Sequence, residues 1–321
     1  MKKRKYPRVT MAEALGLTNL GVALDDLRKT VTGSKNIPST MVDHTSLKML
    51  KPHISLPTWL HIKRNGRLVP VYNFFNRIQK PKDQGWSVRV TYARDYRGGR
   101  WRYDGHEGTD LAIPVGTEIV APAPGKIIKV CGDLDLGALK VFIDHGSGIM
   151  TLYDHLARAL VDVGDTVSRG QAMALSGASG LGALLFFPWL SPHVHFKVWL
   201  NGQPLDPFAI EEEGETSMWL NGNDPTPCPE PGDVDFKPTE WNEERVNAGI
   251  AACNDPQERT SLSSIQDIAQ RAVETIVSMH YKPLLYDSFP NIYDREYERR
   301  PIFDLPLNHE DYDGMKFPDD L

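Results

Sequence analysis

The chain has 321 residues, 40% hydrophobic and 24% charged, which is long enough for two domains or for one domain with large extensions. It contains no apolar run near the roughly 18 residues that span a bilayer. Its three cysteines, with no CxxC spacing, support neither a disulfide framework nor a thiolate zinc site. The net charge of −6 conceals an asymmetry: residues 1–105 carry 21 basic against 7 acidic side chains (+14), residues 106–210 carry 6 against 10 (−4), and residues 211–321 carry 9 against 25 (−16).

The start is basic but then places Pro7, Arg8 and Glu13 where a secretory leader needs an apolar core. A cytoplasmic location, or leaderless export to the cell envelope, is therefore expected. Thr10-Met-Ala-Glu13 is a capping-box pattern, and the apolar positions after it predict a short amphipathic helix to about Lys29. Residues 1–55 thus read as an N-terminal helical segment. "WLHIKRNGRLVPVYNFF" predicts a β-hairpin turning at Asn65-Gly66, and "WSVRVTYARDY" a further strand, so residues 56–104 read as a basic β-hairpin region.

From residue 105 to 210 the texture is all-β. Short runs such as "TEIVAPA", "GKIIKVCG", "ALKVFIDHG", "IMTLYDHL" and "QAMALSG" alternate with Gly- and Asp-containing turns. After Ile210 the acidic, proline-rich "DPTPCPEPGD" reads as a linker. Ile265, Ile268, Ala269, Ala272, Ile276 and Met279 then fall at helical spacing with one face to bury. Residues 211–321 accordingly read as an acidic extension with one or two helices and a loosely ordered end. The charge split predicts that this tail docks on the basic N-terminal region, with the helix face supplying an apolar seam.

The chemistry is carried by histidines. His193 and His195 are one residue apart on a predicted strand and so share a face. Alone, such a pair is most simply a half-exposed strand. Upstream, His106 and Asp110 flank Gly108, which permits a turn. Together with His195 they offer two imidazoles and one carboxylate, the ligand types zinc takes at a catalytic site with its fourth position open. His145 reads as a structural turn residue. His44, His53, His61, His280 and His309 have no ligand-like context.

From about His106 to Phe208 the sequence resembles the lysostaphin/LytM-type zinc metalloendopeptidases. The resemblance rests on the HxxxD block, "VGTEIVAPAPGKI", "VFIDHGSG", "TLYDHL", "VGDTVSRGQ", the HxH pair and "NGQPLDP", in the family's order. It implies an antiparallel β-sheet or β-sandwich core with a zinc groove, in a mainly β chain with α+β N-terminal and helical or irregular C-terminal extensions. It implies one zinc held by His106, Asp110 and His195, with His155 and His193 as the catalytic histidines. The implied substrate is peptidoglycan or another peptide, with no nucleic acid, no membrane span and a monomeric chain. An alternative is a metal-free binding module that regulates another cell-wall hydrolase. A biotinyl- or lipoyl-carrier domain is rejected, since the corresponding "DHGSG" turn has no lysine to modify.

Two features depart from the family. Lys197 stands where a glutamate is common, and reads either as a substrate contact along the groove or, by preference, as a solvated lysine. "SGLGALLFFPWLSP", before the HxH pair, is longer and more apolar than the usual turn; it reads either as a packed loop or as a groove wall.

Overall fold

The computed structural model describes residues 5–18, 20–36, 38–62, 67–77, 87–91, 95–97, 102–103, 105–132, 139–180, 185–229, 231–232 and 235–317. The capping box forms as expected: Thr10 Oγ1 accepts from the Glu13 N–H at 3.2 Å while Glu13 accepts from the Thr10 N–H at 2.8 Å. It starts only the short helix α1 (Met11–Ala14), because Gly16, at φ +70°, turns the chain before α2 (Leu20–Thr32). A third helix, α3, spans Pro52–Trp59 and starts on a proline, whose missing N–H costs nothing there.

The expected hairpin does not form. Its first arm starts on Trp59, the last residue of α3, and continues as a turn, and strand β1 (Leu68–Asn73) finds its partners far away in sequence, while Asn65-Gly66 lies outside the described residues. Val69 to Asn73 are buried on both faces, and the strand pairs on both edges, antiparallel with β4 (Thr109–Leu111) and parallel with β15 (Gly314–Lys316). A hairpin partner would have covered one edge only. Of "WSVRVTYARDY", the part described gives β2 (Val90–Thr91), paired with β3 (Arg102–Tyr103) in a small separate ribbon.

The strands expected between residues 105 and 210 are present. They are β5 (Glu118–Val120), β6 (Gly125–Cys131), β7 (Leu139–Asp144), β8 (Ile149–Ala159), β9 (Thr166–Val167), β10 (Ala172–Ser176), β11 (Val194–Leu200) and β12 (Gln203–Leu205). The "linker" contributes β13 (Pro227–Cys228), which pairs with β14 (Leu305–Asn308), so it is built into the sheet and is not a tether. The main sheet runs β13-β14-β5-β10-β8-β11-β4-β1-β15, with β6, β7, β9 and β12 attached beside this path. It is antiparallel except at the pairs β1–β15 and β13–β14. The protein is therefore sheet-dominated, with helices in the minority.

Strand alternation sorts β11 between two cores. Val194, Phe196 and Val198 enter one apolar cluster with Ile119, Tyr153, Trp219, Phe303 and Leu305. Trp199 enters a second, with Phe142, Met150 and Leu152 of the sheet and the helices of the C-terminal extension. Among the described residues those helices number three where one or two were expected: α4 (Glu243–Ala251), α5 (Pro256–Ser263) and α6 (Ile268–Tyr281). Pro256, with Asp255 capping the Gln257 and Glu258 N–H groups, starts a helix that hydrophobic spacing does not announce.

The tail's helix face docks on the β-sheet, while its last strand β15 pairs with β1 of the basic N-terminal region and Phe317 stacks on Phe74. Ala272, Ile276 and Met279 bury against the sheet residues just named, because an apolar helix face gains most from an apolar partner. Among the described residues, direct ion pairs to the N-terminal third include the largely buried Arg77–Glu215 at 2.8 Å and the more exposed Lys35–Asp255 at 3.2 Å and Arg67–Asp313 at 3.0 Å. Of the end expected to be loose, Gly314–Lys316 form β15 at an edge of the sheet, and residues 318–321 lie outside the described residues. The three cysteines are free, Cys228 and Cys253 buried and apart.

Candidate active site

Register brings the site together. In β11, His195 lies opposite Asp110 of β4 on one side and opposite Asp154 of β8 on the other. His106 precedes β4 in a turn tied down by an Asn76 N–H bond to its carbonyl at 2.8 Å. Gly108 is needed there for closeness: a Cβ would stand 2.6 Å from the Phe196 carbonyl oxygen and 2.9 Å from His195 Cε1.

His106 Nε2 lies 3.0 Å from Asp110 Oδ2, and His195 Nδ1 lies 2.6 Å from Asp110 Oδ1. One donor atom from each of His106, Asp110 and His195 lies within 4.8 Å of the others, a grouping able to hold a metal ion. The donor set of two imidazole nitrogens and a carboxylate oxygen fits a divalent transition metal. Asp110 is buried, which opposes its charge, but the imidazoles of His106, His193 and His195 hold its carboxyl well below the ordinary range.

Hydrogen bonds fix which nitrogen each imidazole presents. A carbonyl only accepts, so the nitrogen facing it must carry the proton. His106 donates from Nδ1 to the Phe74 carbonyl at 2.6 Å, which leaves Nε2 as its lone-pair nitrogen toward Asp110. His155 donates from Nδ1 to the Ser179 carbonyl at 2.6 Å, and His193 from Nδ1 to the Ser191 carbonyl at 2.7 Å. Both therefore offer Nε2. The rings of His155 and His193 stand 4.6 Å apart, and His193 Nε2 is 3.8 Å from Asp110 Oδ1. Burial pushes His155 down to about 3, helped by the neighbouring imidazoles, and pushes His195 down to about 4 against the pull of Asp110. These rings are neutral bases at pH 7.

All five residues singled out by the motifs thus converge from separate segments. Others lie around them unannounced. Tyr72 stacks on His193 with ring centroids 5.7 Å apart, and its hydroxyl donates to the Met49 carbonyl. Lys197 is the clear correction: it is 3% exposed, pairs with Asp154 Oδ2 at 3.0 Å and donates to the Tyr281 hydroxyl at 3.3 Å. Burial opposes its charge, but Asp154 raises its affinity for the proton above the usual lysine range. The alternation that puts His195 toward the site puts Lys197 on the same face, where α6 covers it. His280, which looked idle, donates to Glu107 at 2.7 Å. Alternation alone indicated the face of Lys197; no signal in the chain indicated the cover.

The described part of the apolar loop, residues 185–192, packs on α3. Trp59 Nε1 donates to the Leu190 carbonyl at 2.9 Å, and Phe187 meets the Trp59 ring edge-on at 4.9 Å. Leu185, Phe187 and Trp189 remain about half exposed. His145, as expected, is structural: it donates to the Pro124 carbonyl and bonds Thr151, each at 2.8 Å.

Residues 104–207 match the model of the family described as Peptidase family M23. A Vibrio cholerae protein named peptidoglycan DD-endopeptidase ShyB is 39% identical over 121 residues, 38% of this chain and 26% of that one. A Haemophilus influenzae protein named an uncharacterized metalloprotease is 33% identical over 112 residues, 35% of this chain and 22% of that one. The chain spans about a quarter of the length of the curated relatives it matches. Among solved structures, a zinc containing peptidase from Vibrio cholerae aligns at 29% identity over 44% of this chain and 38% of that chain, with a TM-score of 0.32. The catalytic domain of lysostaphin from Staphylococcus simulans aligns at 28% identity over 32% of this chain and 77% of that chain, with a TM-score of 0.28.

Proposed function

We propose, from the match of residues 104–207 to the peptidase family M23 model, that the chain is a zinc-dependent endopeptidase acting on peptide bonds of bacterial peptidoglycan. The observation that carries this is the convergence of two imidazole donors and a carboxylate beside two further imidazoles whose proton-bearing nitrogens are already assigned. His106 through Nε2, Asp110 through a carboxylate oxygen and His195 through Nδ1 would hold the ion, His195 giving up the proton that otherwise lies between Nδ1 and Asp110. Zinc, when bound, supplies Lewis-acid charge and draws the pKa of water towards ~7.

The chain's own residues do the rest. His155, neutral at pH 7, presents an unprotonated Nε2, and His193 turns its Nε2 toward the same space, so one of the two takes a proton from the attacking water. Holding that proton, it donates to the developing negative charge or to the departing amine. The Ser179 and Ser191 carbonyls keep each ring in the tautomer this requires. Such positioned acid–base groups contribute ~10²–10⁴-fold each. Tyr72, stacked on His193, fixes its ring plane.

Digestion of purified peptidoglycan with mass analysis of the fragments tests the reading. Cross-linked dimers should fall to monomers, gaining one water per cut, with zinc-loaded wild type and not with His106→Ala. Intact cross-links after incubation with the zinc-loaded wild type would overturn it. A chain that binds peptidoglycan yet takes up no zinc would favour a regulatory binding module.

A further inference from the structure

Each segment that brings a histidine to the site also delivers a charged side chain to a second, buried cluster beside it. Glu107 follows His106, Asp154 precedes His155, and Lys197 lies two residues beyond His195 on the same face of β11. Lys197 binds Asp154 at 3.0 Å and the Tyr281 hydroxyl at 3.3 Å, and Glu107 accepts from His280 at 2.7 Å. His280 also packs on Trp199, ring centroids 4.5 Å apart. The residues that close the cluster, His280 and Tyr281, are the last two of α6 and lie outside the M23 segment.

A buried ion pair is weak evidence for stability, since apolar side chains of similar volume often serve as well. What an ionic cluster adds is a fixed register and orientation among the segments it joins. The backbone shows something to hold: His155 sits in the middle of β8 at φ +65°, a left-handed conformation that a non-glycine residue keeps only when its surroundings impose it. Its neighbour Asp154 is clamped by Lys197 on one side of that residue, and the Ser179 carbonyl holds the ring on the other.

We propose that Glu107, Asp154 and Lys197, closed by His280 and Tyr281, are positioning residues for the site, so that α6 of the C-terminal extension is a working part of the peptidase. This rests on the metallopeptidase reading above. The three charged residues set the relative placement of the turn carrying His106, the kink carrying His155 and the strand carrying His195.

The test uses the full chain with Asp154→Asn and Lys197→Met together, which removes both charges at nearly constant volume, beside wild type and Lys197→Arg. In the zinc-free protein, amide hydrogen exchange should quicken by about tenfold or more at residues 105–110, 153–156 and 193–197, and stay unchanged along β6 and β7. Zinc affinity, read by competition with a chromogenic chelator, should fall about 10–100-fold, and kcat should fall alike with KM held. Lys197→Arg should keep both. A folded double variant with wild-type exchange at the three segments and wild-type zinc affinity would overturn the proposal. If the double variant does not fold, Tyr281→Phe, which deletes one hydroxyl, should give roughly threefold faster exchange at the same segments, and no change there overturns it equally. A wild type that binds no zinc and cuts nothing, with variants that still show the exchange pattern, would sink the peptidase reading and leave the positioning cluster standing.

Discussion

The two flanks of the β-core are attached by different physics. The helical start of the basic N-terminal flank, residues 5–62, reaches the core through a small apolar cluster, in which Ile54, Leu15, Met49 and Trp59 meet Tyr72, Ala112, Ala178 and Leu190, whereas β1 of the same flank lies inside the sheet. Polar ties add to it, among them Arg158 forked onto Glu13 at 2.6 and 2.9 Å. It leaves Leu20, Leu24, Val31 and Leu60 more than 60% exposed. The acidic C-terminal flank buries a continuous helix face on the sheet and inserts β13, β14 and β15 into it. Segments of the basic flank itself thus attach unequally, β1 inside the sheet and the helices before it by a small cluster. Apolar area, not net charge, decides where a segment docks.

Truncation is the bluntest way to break this contrast. A chain ending at Ile210 should lose its cooperative thermal transition, because burial of the α6 face alone, roughly 1.5–3 kcal/mol per large side chain, rivals the ~5–15 kcal/mol stability of a whole domain. A chain starting after Asn36, without α1 and α2, should still melt cooperatively. If both truncations melt alike, the contrast fails.

The site between the flanks gives the next largest effect. His155→Ala and His193→Ala should keep zinc and lose ~10²–10⁴-fold in kcat, whereas His106→Ala and Asp110→Ala should lose zinc itself. Metal analysis beside peptidoglycan turnover separates the two groups. Loss of zinc in His193→Ala with retention in His195→Ala would exchange their roles.

Single side chains sharpen the contrast further. Ile276→Ala, in the second core, should cost about 2–5 kcal/mol in urea unfolding, and Leu24→Ala, on the exposed face of α2, less than about 0.5 kcal/mol. Equal losses would mean that the N-terminal helix is packed as tightly as α6.

Acid should expose the buried imidazoles. Burial lowers His145 to about 4 from an ordinary 6.5, so between those values the unfolded chain binds a proton that the folded chain does not. Stability should therefore fall as pH drops from about 6.5 to about 4, at a rate approaching 1.4 kcal/mol per pH unit for each such histidine. Asp206, pushed up to about 6 by burial, acts in the opposite sense below that pH and offsets part of the loss. Melting curves across this window should be flatter for His145→Gln than for wild type. Smallest of all, Lys35→Ala should leave the melting temperature unchanged, since the Lys35 side chain is 68% exposed to solvent; a clear drop would restore charge pairing as the docking force.

Much of the central domain was legible from the chain. Alternation and turn residues mark β5 to β11, and all five converging site residues stand in motifs whose spacing is local: one turn for His106 and Asp110, one strand for His193 and His195. The capping box at Thr10 is legible for the same reason, as its hydrogen bonds join residues three apart. The partner of β1, the seat of α6 and the burial of Lys197 were not. Each depends on contacts between residues far apart in the chain, and nothing in "LVPVYN" names β15 as its neighbour. Lys197 shows the reason most plainly. Its own strand fixes only the face it shares with His195, and whether that face meets water or α6 is decided by where apolar side chains some eighty residues later come to rest.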